Sequence, residues 1–75
     1  MPEFDYLSDN LKRIRLKLKE SQIDFAANCG ISTEILSLME RKLTDPKLST
    51  LQKIAAYTDM TVSELLTGRN DEDKV

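Results

Sequence analysis

Gly30 is the residue that most narrows what this chain can fold into. It interrupts the stretch SQIDFAANCGISTEILSLMERK, from Ser21 to Lys42, and is one of only two glycines in the sequence. A residue without a Cβ enters left-handed backbone at no steric cost. A glycine between two apolar-patterned runs therefore marks the close of one helix and a sharp change of direction into the next. Both runs open on a serine. Ser21, with Asp24 three residues on, is a carboxylate variant of the capping box, and Ser32 stands where the next helix needs an acceptor for its first unpaired N–H groups. The first run turns Phe25, Ala26 and Cys29 to one side, and the second extends to about Glu40.

Helical periodicity accounts for the rest of the chain. Leu7, Leu11, Ile14 and Leu18 recur at spacings of four, three and four, which predicts a helix from Leu7 to about Lys19, capped by Ser8 or Asp9. Beyond the loop RKLTDP, Leu48, Leu51, Ile54 and Ala55 line a fourth helix. After Thr58-Asp59, a short fifth helix begins near Thr61 with Val62, Leu65 and Leu66 apolar. No strand alternation or internal repeat is present. The expected organisation is an N-terminal arm at 1–6, an all-α domain at 7–68 closed by Gly68, and a loose acidic tail at 69–75.

Seventy-five residues, 40% of them hydrophobic, suit one small core and no second domain. With one cysteine and no histidine the chain forms no internal disulfide and no metal cluster of the usual kinds, which fits a reducing cytosol. It has no phosphate-cradling glycine loop and no base to activate Cys29, so an enzyme is not expected, nor a cofactor. No apolar run approaches the length of a membrane span, and the acidic start MPEFDYLSDN has no secretory h-region, so a soluble cytoplasmic protein is expected. The net charge of −2 argues against a polyanionic partner until its distribution is considered. Residues 10–70 hold ten of the eleven bases but only seven of the thirteen acids, and five bases fall between Lys12 and Lys19. Such a run also suits an ordinary solvated helix face.

The third helix carries the functional signal. Successive turns of about 100° put Ile35, Leu36 and Met39 on one side as its core face and Glu34, Ser37 and Arg41 on the other, with Thr33 and Leu38 flanking. Short hydroxyls, a carboxylate, an apolar side chain and a guanidinium can all address base edges in a major groove: a carboxylate accepts from cytosine N4, and apolar groups touch thymine methyls. The same composition serves an exposed helix with no ligand. The order of parts favours the first reading, because two helices joined by a tight glycine turn form the helix-turn-helix unit, whose second helix enters the groove. Gln22, at the start of the preceding helix, is placed to donate to a phosphate oxygen.

The pieces NLKRIR, SQIDFAANCGIS, ILSLMER, DPKLSTLQKIA and TVSELL, in this order and spacing, resemble the lambda-repressor/Cro-like helix-turn-helix regulators of the xenobiotic-response-element type, over roughly Asn10 to Leu66. The resemblance implies a five-helix fold, sequence-specific binding of double-stranded DNA, and a homodimer on a palindromic operator. By position, Thr33, Glu34, Ser37 and Leu38 would face bases. Gln22, Ser32, Arg41 and Lys42 would meet the DNA backbone, joined by Lys12 and Lys17 of the first helix. Arg15 and Glu40 would form a structural ion pair, and Tyr57 and Met60 would lie near a dimer interface. The chain departs from the pattern at Glu20, where an apolar residue is usual, at Thr58, where leucine is common, at Leu16 and Tyr57, and at Lys42, which replaces a glycine. An alternative keeps the fold but gives it a protein or peptide partner, with Leu16, Leu38, Leu43 and Tyr57 as the apolar residues left without an obvious core position.

Overall fold

The computed structural model describes residues 5–67, and in them the chain forms five helices and no strand: α1 (Asp5–Lys17), α2 (Gln22–Cys29), α3 (Thr33–Glu40), α4 (Leu48–Thr58) and α5 (Val62–Leu66). Gly68 and the expected tail lie outside the described residues. The core gathers Leu7 and Leu11 of α1, Phe25, Ala26 and Cys29 of α2, Leu36 and Met39 of α3, Leu51, Ile54 and Ala55 of α4, and Leu65 of α5. α1 packs on α3 and α5, α2 packs on α3 and α4, and α4 closes on α5. Burying a stripe from each of several short helices supplies the stability that no one of them would have alone.

Four helices end in the same way. After α1, α2, α3 and α4 the backbone enters the left-handed region at Lys19 (φ 61), Gly30 (φ 85), Lys42 (φ 62) and Asp59 (φ 60). The next N–H then returns to a carbonyl five residues earlier: Glu20 to Arg15, Ile31 to Ala26, Leu43 to Leu38 and Met60 to Ala55, at 2.9–3.0 Å. Only one of the four positions is glycine, so the other three hold a left-handed conformation that L side chains resist. At the opposite ends, Ser21 accepts from the Asp24 N–H, Ser32 from Ile35 and Thr61 from Glu64. Glu64 returns a carboxylate to the Thr61 N–H at 2.8 Å, completing a capping box. Asp24 makes no such return bond, so at α2 only the serine half of the expected box is present.

Several expectations need correcting. α1 begins at Asp5, two residues before the expected boundary of the arm, and neither Ser8 nor Asp9 caps it. Ser8 is buried inside the helix and donates to the Met39 carbonyl at 2.7 Å, satisfying an acceptor at the C-terminal end of α3. Asn10, also buried, donates to the carbonyls of Leu65 (2.8 Å) and Thr67 (2.9 Å) and so holds the end of α5. Leu18 lies beyond the last residue of α1 and is 46% exposed, and Leu48, at the first turn of α4, is 61% exposed. Both extend a helical stripe past the end of the surface it packs against.

Candidate nucleic-acid interface

α3 is divided along its length. Its inner edge is Leu36, Met39 and Glu40, not the expected Ile35, Leu36 and Met39: Ile35 is 38% exposed, whereas Glu40 is 3% exposed. A carboxylate is buried only where its charge is met. Arg15 meets it from α1 with two parallel hydrogen bonds, Nε to Oε2 at 2.9 Å and Nη2 to Oε1 at 3.0 Å. The geometry is the bidentate fork that guanidinium and carboxylate share. Its hydrogen bonds to Glu40 raise the Arg15 pKa above its ordinary value, against the opposing effect of burial. Arg15 Nη1 also donates to the Glu20 carbonyl at 3.2 Å, so the same side chain fastens α1, the turn into α2, and α3.

With that inner edge fixed, the outward strip turns by about a third of a residue step and is centred on Glu34, Leu38 and Arg41, with Ser37 and Ile35 on its two shoulders. Glu34 and Arg41 are exposed; Thr33, Ser37 and Leu38 are half-buried. Ile35 was missed in the sequence because its spacing suits the core. The signal against it was Glu40, whose pairing with Arg15 claims the inner direction. Ile35 and the α3–α4 loop residues Thr44, Asp45, Pro46 and Lys47 line a small hollow of about 180 Å³ beside the strip.

The expected backbone-contacting residues fall into two groups. Ser32 caps the exposed N-terminus of α3, and Arg41 and Lys42, both exposed, follow its C-terminus. Gln22 begins α2, where backbone N–H groups and the helix dipole favour an anion. Its side chain is turned inward, however, with Nε2 donating to Glu40 Oε1 at 3.1 Å. One amide hydrogen thus belongs to the scaffold, and only the other is left for a phosphate. Lys12 and Lys17 are exposed on α1. They lie on different sides of the helix: Lys12 is within one turn of Ser8 and Arg15, which face α3, while Lys17 stands with Asn10 and Arg13, which are linked by an Arg13 Nη2 to Asn10 Oδ1 bond of 2.7 Å and face α5.

The departures at Glu20 and Tyr57 account for each other. Tyr57 Oη donates to Glu20 Oε2 at 2.5 Å, Asn28 Nδ2 donates to Glu20 Oε2 at 3.3 Å, and the Tyr57 ring stands edge-on to Phe25 with centroids 5.7 Å apart. A polar clip between the α1–α2 turn and α4 thereby replaces an apolar contact. The bond to Glu20 raises the Tyr57 pKa, helped by burial and by the Glu20 charge. Met60 packs partly buried against the core. Both residues expected near a dimer interface are thus engaged within the chain. Cys29 is buried, and desolvation, with the Glu20 charge second, pushes its thiol up to about 11.

Comparison with known proteins agrees with this architecture. Residues 11–65 match the helix-turn-helix family profile. The chain is 37% identical over 62 residues to the HTH-type transcriptional regulator DdrOP3 of Deinococcus deserti; the match covers 83% of this chain and 48% of that protein. The chain therefore spans about half the length of the curated relative. It also superposes on the crystal structure of the hypothetical transcription factor NHTF from Neisseria with a TM-score of 0.83 and 28% identity, over 95% of this chain and 82% of that one. The capped α2, the Gly30 turn and the half-free α3 are thus the parts of one known unit, and the chain belongs to the helix-turn-helix family, among the lambda-repressor/Cro-like transcriptional regulators.

Proposed function

We propose that the protein is a sequence-specific, double-stranded DNA-binding repressor that acts in the cytoplasm of a bacterium, or from a phage genome, by occupying a palindromic operator as a homodimer. The observation that carries the reading is the lengthwise division of α3: Leu36, Met39 and Glu40 are buried, while Glu34, Ile35 and Arg41 are exposed, with Thr33, Ser37 and Leu38 half-buried between them. In this reading Thr33, Glu34, Ser37 and Leu38 face base edges, with Ile35 added on one shoulder. Ser32, Arg41, Lys42 and the second hydrogen of Gln22 position the helix on phosphates. The relative and the structural neighbour support it, being described as a transcriptional regulator and a transcription factor.

The deciding experiment is selection of bound fragments from random duplexes at near-physiological salt. A palindromic consensus supports the proposal. Failure to enrich any sequence, together with an affinity for DNA that does not change with salt, overturns it, since every phosphate neutralised contributes about −0.9 to the log–log slope. The alternative, a module that binds a partner regulator through its apolar surface, draws on Leu16 and Leu43, which stand well exposed. Light scattering on the isolated chain distinguishes self-association from a surface reserved for another protein.

A further inference from the structure

On the flank of α1 opposite α3 lies an open groove of about 410 Å³, within the range of small-molecule sites. α1 and the residue after its end contribute Arg13, Ile14, Lys17 and Leu18. The far wall is Tyr57, Thr58 and Met60, at the end of α4 and the turn into α5. The groove exists because Thr58 is short and turned away: its hydroxyl donates to the Ile54 carbonyl at 2.9 Å, leaving nothing to fill the space that Leu18 and Met60 border.

The charges around this space are unbalanced. Arg13 and Lys17 stand one helical turn apart on the same side of α1, an arrangement in which like charges repel. Among the described residues neither has a carboxylate within ion-pair distance: Arg13 bonds only the neutral Asn10 side chain, and its Nε, shielded from solvent, has no partner. Glu20 is held on the other side of the Tyr57 hydroxyl, and Asp59, between two wall residues, does not line the groove. The floor is apolar, from Ile14, Leu18, Met60 and the Tyr57 ring. A ligand that settles both features has an apolar body and one anionic head.

We propose that this groove binds a small amphipathic carboxylate, its hydrocarbon lying between Leu18 and Met60 and its carboxylate accepting from Lys17 and Arg13. This goes beyond DNA binding and stands without it. The site is on the side of α1 away from α3, so occupancy leaves the outward strip of α3 uncovered.

The test uses the full chain and two probes below their micelle concentrations, octanoate and octyltrimethylammonium, with titration calorimetry and amide chemical shifts as readouts. The expected result is saturable binding of one octanoate per chain, with shifts confined to residues 13–18 and 57–60, and a Kd at least about tenfold weaker for the cationic probe. Lys17→Gln, at an exposed position, should remove most of that preference. Thr58→Leu should abolish binding of both probes while the thermal midpoint holds or rises, because leucine fills the groove. No saturable octanoate binding, equal affinity for the two probes, or unchanged binding by Thr58→Leu overturns the proposal. So does octanoate affinity that falls as the chain is concentrated and self-associates, which would assign the groove to a second copy.

Discussion

At the scale of single residues, the decisive one is Glu40, a charge placed in the core of a very small protein. Removing its carboxylate leaves the Arg15 guanidinium partly buried and unanswered and takes an acceptor from Gln22, so Glu40→Ala should cost about 3 kcal/mol, read as a shift in the urea midpoint. Its neighbour Glu34 acts in the opposite sense. On the proposed reading, an exposed carboxylate on the outward strip repels phosphate whatever the sequence, so Glu34→Gln should tighten binding to random DNA and weaken discrimination at one base pair by about 1–3 kcal/mol, measured by competition between selected and random duplexes. Cys29 titrates only outside the neutral range. Its folded pKa is raised to about 11 from 9.0, so between these values the unfolded chain releases a proton that the folded chain keeps, and stability falls as pH rises through the window. Tyr57, raised above 10.0, extends the loss in the same direction. Cys29→Ala should flatten the lower part of that decline in urea melts taken from pH 8 to 11, and the native thiol should resist alkylation at pH 8.

At the scale of helices, the ends are where stability can be added or lost. Gly30→Ala meets no atom within 4 Å of the added Cβ, so its cost is conformational alone, about 1 kcal/mol at φ +85. Lys19→Gly is the reverse experiment at φ 61 and should stabilise by up to about 1 kcal/mol, a rise of several degrees in the thermal midpoint. These ends also show how far the sequence could be read. Ser21, Gly30 and Ser32 announced α2 and α3 because each acts on backbone groups within three or four residues of itself. Ser8 and Asn10 gave no such signal, since their partners are the carbonyls of Met39 and Leu65, distant in the chain. The inner edge of α3 was misplaced by one residue for the same reason. A period of 3.6 favours Ile35 over a glutamate, and only the salt bridge across 25 residues of chain reverses that preference. Leu18 and Leu48 fit their stripes but outrun the surfaces they would cover.

At the scale of the whole molecule, the helices enclose a body of about 35 × 27 × 19 Å. In the proposed homodimer, two such bodies on one face of B-DNA would have to present their third helices about one turn apart, roughly 34 Å. The selected operator should therefore show half-sites about 10–11 base pairs apart, centre to centre, and a one-base-pair insertion between them should weaken binding far more than a change in the bases between. Because Arg15 ties α1, the turn into α2 and α3 to one guanidinium, the angle at which the third helix leaves the body is set by the interior and not by the nucleic acid. One half of that helix therefore answers to folding and the other to whatever it touches. If the outward half reads DNA as proposed, a lineage carrying this domain can exchange its cognate sites through a few codons there without passing through an unfolded ancestor.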